Sequence, residues 1–329
     1  MYTQMYNANS FINSKVCRAS FTTCEGDLPL IFQLGGHDPD TMLKAARLVE
    51  DRVDDVDINL GCPQAIAKRG HYGAYLMEEL DLLVAIVTNL SRNLKVPVTC
   101  KTRIYKDFDR SVKLCETLIS AGASLLTIHG RTRSERGHNI VGADWDMIRR
   151  LREHFNGRVP ILANGGIECY DDIDACMKYT GCEGVMVSEA VLENPSFFVR
   201  NIYQGIYVSH AYLAHEYLDY TVRYPVHFKA IRSHLMKMLH RYFLVHTELR
   251  DRAGMAGSVE QLHEICKVLL VLYSKYYHAD MTYTVLTIII YLYTGADAGM
   301  REPQQPVRLP RVILVPSTPQ DHWTPTTRC

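Results

Sequence analysis

The sequence predicts an α/β protein built on a TIM (β/α)8-type barrel and followed by a small all-helical domain. From residue 29, short continuous apolar strands alternate with amphipathic helices through six βα units, which is typical of buried parallel strands. Each of these strands ends in polar residues, and the carboxyl ends of barrel strands meet on one face, where active sites form. A doubly wound sheet would instead gather its site at one crevice, so we prefer the barrel.

Local signals place the elements of this repeat in order. The strands are predicted at 29–34, 56–60, 97–103, 125–131, 160–166 and 184–189. The helices between them are predicted at 38–49, 78–93, 111–121, 145–155 and 171–178. Asp38 before Pro39 is typical of a helix start, and Gly122 is typical of a helix end.

The strand count is one short of a complete barrel. Residues 1–5 are predicted to be the end of one more strand, which brings the total to seven. We therefore expect an N-terminally incomplete barrel that lacks its first strand and leaves the edges of two neighbouring strands unpaired.

Long helices replace the βα repeat after about residue 205. They are predicted at 211–220, 225–247 and 258–276. We expect a barrel domain at 1–205, a helical domain at 206–280 and an atypical, disordered tail at 281–329, where Pro, Gln and Arg accumulate. The second helix combines an apolar stripe with a basic face formed by Lys229, Arg232, His234, Lys237, His240 and Arg241.

Composition excludes several classes of protein. The 36 basic and 36 acidic residues cancel, so any nucleic-acid binding must use a local patch. The ten cysteines contain no CxxC pair and suit the reduced core of a cytosolic protein. The longest apolar run, 284–293, is about half of a membrane span. We expect a cytoplasmic or nuclear monomer that binds neither membrane nor metal.

The stretch from residue 57 to residue 76 organises the chain. It reads DINLGCPQAIAKRGHYGAYL: an apolar strand that breaks at Gly61-Cys62-Pro63, followed by a basic loop with Lys68 and Arg69. Pro63 cannot continue a strand ladder, and it restricts Cys62 to extended geometry. The thiol is therefore displayed at the carboxyl end of a strand, although a cysteine taken alone is more often structural.

This stretch resembles the signature of the tRNA dihydrouridine synthase family. Its sequence is most similar to that of the eukaryotic branch that acts at positions 16 and 17 of the tRNA D loop. Three further segments, VPVTCKTR, LTIHGRT and ILANGGI, follow in the family's order. The resemblance covers roughly residues 1–275.

The resemblance implies an FMN-bound barrel and a helical domain that binds tRNA. NADPH or NADH would reduce the flavin, and hydride would then pass from reduced FMN to C6 of a uridine flipped out of its stack. It also implies that Cys62 is the general acid that protonates C5. A thiol, with an ordinary pKa of about 8.5, keeps its proton at neutral pH, whereas a carboxylic acid is ionised.

The family motifs imply further roles for this chain. Gln33 would hydrogen-bond the flavin ring, Lys101 and His129 would contact the flavin or the substrate, and Asn59 would read the uracil edge. Backbone amides at two strand ends would hold the FMN phosphate. These ends are Asn164-Gly165-Gly166 and Ser188-Glu189. Neither Ser188 nor Glu189 is positively charged, so Arg131 would supply the positive charge for the phosphate. Lys68, Arg69, Arg131 and Arg232 would contact the tRNA.

Two alternatives stay open at this point. A flavin-dependent oxidoreductase of a free small molecule would share the barrel motifs but would have no use for a basic helical domain. A catalytically impaired, truncated RNA-binding form would fit the absence of the first strand. The basic face at 229–241 could itself be an ordinary solvated surface.

Overall fold

The structure is a computed structural model of the chain and describes residues 1–198, 209–273 and 313–314. The described residues fall into two compact units. The first contains Met1–Ala190 together with Ile313–Leu314, and the second contains the described residues that follow Ala190 and precede residue 274.

The first unit is organised by one parallel sheet of eight strands, paired in chain order. This confirms the predicted parallel α/β architecture. The strands are β1 (Tyr6–Asn7), β2 (Ile31–Gly35), β3 (Asp55–Leu60), β4 (Val98–Arg103), β5 (Leu125–His129), β6 (Ile161–Asn164), β7 (Gly184–Val187) and β8 (Ile313–Leu314).

Both ends of the sheet differ from the prediction in detail. The N-terminal strand predicted at residues 1–5 is found at Tyr6–Asn7, beside a single bridge between Tyr2 and Ile31. Ile313 and Leu314, expected to be disordered, pair in parallel with Met186 and Val187 of β7. The rest of the predicted disordered tail, 281–329, lies outside the described residues.

Helices cover the sheet and follow the predicted alternation. Asp38 caps the first long helix, because its carboxylate accepts a hydrogen bond from the Thr41 amide at 2.8 Å. The helices of this unit are α1 (Ala8–Asn13), α2 (Lys15–Ala19), α3 (Pro39–Arg47), α4 (Ala65–Arg69), α5 (Leu80–Asn93), α6 (Phe108–Ser120), α7 (Trp145–Phe155) and α8 (Tyr170–Thr180). Short 3-10 turns lie at Glu25–Asp27, Glu50–Arg52, Gly73–Tyr75 and Gly137–Asn139. Helix α9 (Glu189–Glu193) begins just after β7.

The described part of the second unit is helical. Its helices are α10 (His210–Arg223), α11 (Phe228–Met238), α12 (His240–Val245), α13 (Thr247–Met255) and α14 (Val259–Tyr273). The single helix predicted at 225–247 is wrong, since α11 and α12 meet at Leu239, which leaves helical geometry with φ −96° and ψ 8°. No Gly or Pro marks this break. Leu235 before the break and Phe243 after it belong to one buried core.

None of the described helices is long and apolar enough to cross a membrane. The end of the helix predicted at 258–276 lies outside the described residues, which stop at Tyr273.

Candidate active site at the strand ends

Cys62 follows the end of β3 and is held through its backbone. The side-chain oxygen of Asn59 accepts hydrogen bonds from the amides of Gly61, at 3.1 Å, and of Cys62, at 3.0 Å. The carbonyl of Cys62 accepts another from the Ala74 amide at 3.0 Å. The Cys62 side chain is half-buried, whereas Cys100 and Cys182 are buried in the core, as expected. The turn is therefore fixed on both sides while the thiol keeps some access to solvent.

Gly73 allows the loop after α4 to close onto this turn. Its φ of +68° lies in the left-handed region, which favours glycine. A Cβ at this position would lie 2.7 Å from the carbonyl oxygen of Cys62 and 3.0 Å from its Cβ. Gly73 thus permits a close approach of two backbone segments.

A buried polar chain links Cys62 to the neighbouring strands. The amide nitrogen of Asn59 donates to the side-chain oxygen of Gln33 at 2.8 Å, and Gln33 donates to Asp57 at 2.9 Å. The hydroxyl of Thr99 donates to the other oxygen of Asp57 at 2.7 Å. Residues of β2, β3 and β4 thereby form one network beneath the turn.

Asp57 is the charged member of this network, and our sequence-based assignment gave it no role. Burial raises its pKa to about 6, and the hydrogen bonds from Gln33 and Thr99, together with the charge of Lys101, limit that rise. In the sequence, Asp57 alternates with Val56, Ile58 and Leu60 and stands two residues before Asn59, on the same side of the strand.

Cations gather at the carboxyl ends of β4 and β5. Burial, and then the charge of Arg103, lower the pKa of Lys101 to about 8, while Asp57 and Cys62 act in the opposite direction. Burial and the charge of Arg131 lower the pKa of Arg103 to about 10. Three like charges therefore share a poorly solvated region, and an anion placed among them would relieve their repulsion.

His129 lies within this group and is a neutral acceptor. Burial, followed by the charges of Lys101, Arg103 and Arg131, lowers its pKa well below the ordinary value. Its Nε2 lies 3.2 Å from a guanidinium nitrogen of Arg131. Because arginine can only donate, Nε2 must accept, which leaves the ring proton on Nδ1.

Arg103 is a second residue that the sequence-based assignment missed. It is buried, and its Nε donates to the carbonyl of Gly61 at 2.7 Å, while Nη1 donates to the carbonyl of Thr132 at 2.8 Å. It thus connects the turn before Cys62 to the loop after β5. Its position at the end of the strand VTCKTR was visible in the sequence, but its partners were not.

The glycine pair after β6 presents bare backbone beside His129. Gly165 and Gly166 have φ values of +100° and +75°, and a Cβ on Gly165 would lie 2.9 Å from Cδ2 of His129. The indole of Trp145 donates to the carbonyl of Gly165 at 2.9 Å, and the side chain of Asn164 donates to the carbonyl of Met186 at 2.9 Å. These two hydrogen bonds hold the turn in place, and the lack of a Cβ lets Gly165 pack closely against His129 and Ala143.

The other predicted contacts are not part of the hydrogen-bond network of Gln33, Asp57, Asn59 and Thr99. Ser188 is half-buried directly after β7, and Glu189 is exposed at the start of α9, where its charge opposes the lowering of the pKa of Arg131. Lys68 and Arg69 are exposed in the last turn of α4. Arg232 belongs to the second unit, where its guanidinium donates to the carbonyl of Ala256 at 3.0 Å.

Comparison with known proteins connects this arrangement to one family. Residues 1–263 match the family model described as "Dihydrouridine synthase (Dus)". The chain is 38% identical over 271 residues to a Mus musculus protein named "tRNA-dihydrouridine(16/17) synthase [NAD(P)(+)]-like", covering 82% of this chain and 56% of that protein.

Similar proteins in other organisms are also named as tRNA-dihydrouridine synthases. A Saccharomyces cerevisiae protein named "tRNA-dihydrouridine(16/17) synthase [NAD(P)(+)]" is 39% identical, covering 76% of this chain and 62% of its own length. A Homo sapiens protein named "tRNA-dihydrouridine(20a/20b) synthase [NAD(P)+]-like" is 33% identical, covering 73% of this chain and 74% of its own length. This chain spans 56% to 65% of the length of the 16/17 relatives.

Proposed function

Since this chain belongs to the dihydrouridine synthase family, we propose that it reduces a uridine in the D loop of tRNA to 5,6-dihydrouridine. Positions 16 and 17 are favoured over 20a and 20b, because the relatives named for 16 and 17 reach 37% to 39% identity, against 33% for the human relative named for 20a and 20b. The observation that carries the proposal is the half-buried thiol of Cys62, fixed at a strand end beside Lys101 and Arg103.

We propose FMN as the flavin and NADPH or NADH as the electron donor. The carboxyl ends of the strands suit an anionic cofactor such as FMN. The clustered charges of Lys101, Arg103 and Arg131 favour a phosphate or an electron-rich ring. The turn at Gly165 and Gly166 would offer backbone groups beside this cluster, since Gly165 packs against His129. When bound, the flavin supplies the hydride for C6 of the uracil.

Three groups of residues would hold the FMN. Asn164, Gly165, Gly166, Ser188 and Glu189 would bind its phosphate through the backbone, together with the charge of Arg131. Lys101 would contact its ring. Gln33, expected to hydrogen-bond the ring, is fully buried and bonded to Asn59 and Asp57, so it would support the site through those two residues. His129, as a neutral imidazole, would donate a hydrogen bond from Nδ1 without adding a further positive charge.

Cys62 supplies the proton in this proposal. The S–H bond breaks as a C–H bond forms at C5 of the uracil, and the sulfur is left as a thiolate. Lys101 and Arg103 favour that negative charge, since both act electrostatically on Cys62. Lys101, with a pKa of about 8, is mostly protonated at pH 7.

Asn59 has a different role here from the uracil contact that the family motif implied. Both ends of its side-chain amide have partners within the protein: Gln33 at one end, and the amides of Gly61 and Cys62 at the other. We propose that Asn59 positions Cys62. Lys68 and Arg69, exposed on α4, remain candidate phosphate contacts for the tRNA.

The experiment compares two half-buried cysteines in the full chain. Cys62→Ala should keep the bound flavin and the tRNA affinity but lose about 10²-fold or more of turnover, the usual effect of losing a general acid. Cys17→Ala, in helix α2, is the matched control and should turn over normally. Dihydrouridine in the product tRNA is measured directly. Normal turnover by Cys62→Ala would show that the assignment of the acid is wrong.

The colour of the purified protein separates the alternatives. A yellow protein that reduces tRNA supports the proposal. A colourless protein that still retards tRNA in a gel would favour the RNA-binding form, and a yellow protein that reduces only free pyrimidines would favour the small-molecule oxidoreductase.

A further inference from the structure

Two helices of the second unit bring three potential metal ligands together. His215 and Asp219 lie four residues apart on one face of α10, and Nδ1 of His215 lies 3.5 Å from Oδ2 of Asp219. Across from them on α14, Nε2 of His263 lies 3.5 Å from Oδ1 of Asp219. The imidazole ring centroids of His215 and His263 are 4.6 Å apart.

The hydrophobic core of the second unit holds these ligands in register. Residues on the inner faces of α10 and α14 belong to the same buried cluster, so the two helices are fixed against each other. These residues are Ala211, Ala214 and Leu218 on α10 and Leu262, Ile265, Cys266 and Leu269 on α14. The two imidazoles are half-buried and Asp219 is exposed, so an ion could enter from solvent.

We propose that His215, Asp219 and His263 bind a divalent transition-metal ion of the zinc type, with water in a fourth position. Within the described chain this is the one grouping of three His, Cys, Asp or Glu residues whose ligand atoms all lie within 4.8 Å of one another. Zinc binds imidazole nitrogen and carboxylate oxygen at about 2.0–2.2 Å, so ligand atoms of a tetrahedral ion lie roughly 3.3 Å apart. The two His–Asp distances of 3.5 Å, one to each carboxylate oxygen of Asp219, are close to that value.

The donor set selects the class of ion. Two imidazoles suit zinc and its neighbours in the first transition row, whereas magnesium and calcium prefer sites made of oxygen atoms. We expected no metal from the sequence, because His215 and His263 are far apart along the chain and form no short ligand motif.

A bound ion would clamp α10 to α14. Because the three ligands are brought together only in the folded unit, zinc would bind the folded state preferentially. At a free zinc concentration about 100 times the dissociation constant, the ratio of folded to unfolded protein would rise about 100-fold. Magnesium at the same concentration would leave that ratio unchanged.

The test uses the full chain, purified without a histidine tag and stripped with a chelator. Zinc titration by calorimetry should show a site that His263→Gln or Asp219→Asn weakens by at least about tenfold, the loss expected when a ligand is removed. Glu264→Gln on α14 and Glu216→Gln on α10 remove neighbouring carboxylates outside the cluster and should leave the affinity unchanged. The zinc-dependent rise in the unfolding temperature should disappear in the two ligand variants.

Cobalt spectra of the unmodified protein provide a readout that does not depend on a variant folding. Cobalt at the proposed site should give visible bands without the intense near-ultraviolet band of a cobalt–thiolate bond. Absence of zinc binding, or zinc binding that both ligand variants retain, would overturn the proposal. A strong thiolate band would do the same, because it would place the metal on exposed cysteines such as Cys24 or Cys169. In that case the three residues form only a His–Asp–His ion-pair network.

Discussion

In the proposed function Cys62 is the acid, and hydrogen bonds to the backbone fix the turn that carries its thiol. Asn59, Ala74 and Arg103 each hold an atom of the turn from 61 to 62, and none of these hydrogen bonds involves the sulfur itself. A side chain that positions a reacting group in this way affects the rate of the chemical step more than the affinity for the substrate.

Asn59 provides a direct test of this role. Asn59→Ala removes the acceptor for two backbone amides, so kcat should fall by about 10- to 100-fold, the typical cost of a misplaced reacting group. The KM for tRNA should change by less than about twofold. Steady-state kinetics of dihydrouridine formation measure both constants. A raised KM with an unchanged kcat would instead support the uracil contact that the family motif implied.

Gly73 tests how tightly the loop closes onto Cys62. Gly73→Ala should lower the free energy of unfolding by about 1–2 kcal/mol for the left-handed φ, and by roughly 1–3 kcal/mol more for the collision with Cys62. Gly181→Ala is the matched control, since Gly181 has the same φ of +68° with no atom within 4 Å of its would-be Cβ. Urea unfolding measures both variants. Equal losses would show that the loop yields without cost.

At the scale of elements, the strands β2, β3 and β4 are joined by hydrogen-bonded side chains as well as by their ladders. Gln33, Asp57 and Thr99 stand at paired positions of these three strands, so the register alone places their side chains together. The second unit has its own link between elements. Arg232 ties α11 to Ala256, just past the end of α13, so part of the predicted basic face is used within the protein.

Asp57 makes the stability of the sheet depend on pH. Its pKa is raised from 3.8 to about 6, so the fold favours the protonated form. The stability from this group is fully present below about pH 4 and is lost as the pH rises through 6, by roughly 3 kcal/mol in all.

Asp57→Asn should remove this contribution to the pH dependence between pH 4 and 7. The measurement is the free energy of unfolding of both proteins across that range. Asp38→Asn is the control, because hydrogen bonds to Thr41 lower the pKa of Asp38. The stability that Asp38 contributes is therefore lost only as the pH falls below the ordinary pKa of an aspartate, outside the range measured. An unchanged pH profile in Asp57→Asn would mean that Asp57 stays ionised.

At the scale of the whole molecule, a chain of zero net charge must recognise an anionic substrate through local groups. We propose that the barrel domain, expected at 1–205, carries the chemistry and that the helical domain, expected at 206–280, binds tRNA. Lys229 on α11 and Arg241 on α12 are exposed and carry the part of the predicted basic face that is open to a ligand.

Reversing these two charges tests that division of labour. Lys229→Glu combined with Arg241→Glu should weaken tRNA binding, and the slope of log affinity against log salt should fall by about 2 if each residue meets one phosphate. Bound flavin should not change. Lys178→Glu, at an exposed position of α8 in the first unit, is the control. An unchanged salt slope in the double variant would mean that this face is only a solvated surface.

Sequence-based prediction and structure differ most where residues that are distant along the chain meet in the fold. The alternation of apolar strands and helices, the display of Cys62 and the motif residues at strand ends follow from local patterns, because parallel strands bury continuous apolar runs and end on a common side. The roles of Asp57 and Arg103, the break at Leu239 and the grouping of His215, Asp219 and His263 do not follow from any local pattern.

The sequence by itself determined the kind of sheet, the succession of the strands β2 to β7 and the thiol at the end of β3. Tertiary structure alone decided which groups hold that thiol, which cations share one poorly solvated region and which helices face each other. The physical reason is that strand periodicity and turn chemistry act over a few neighbouring residues. Burial, charge repulsion and hydrogen-bond partnership depend instead on residues that meet only when the chain has folded.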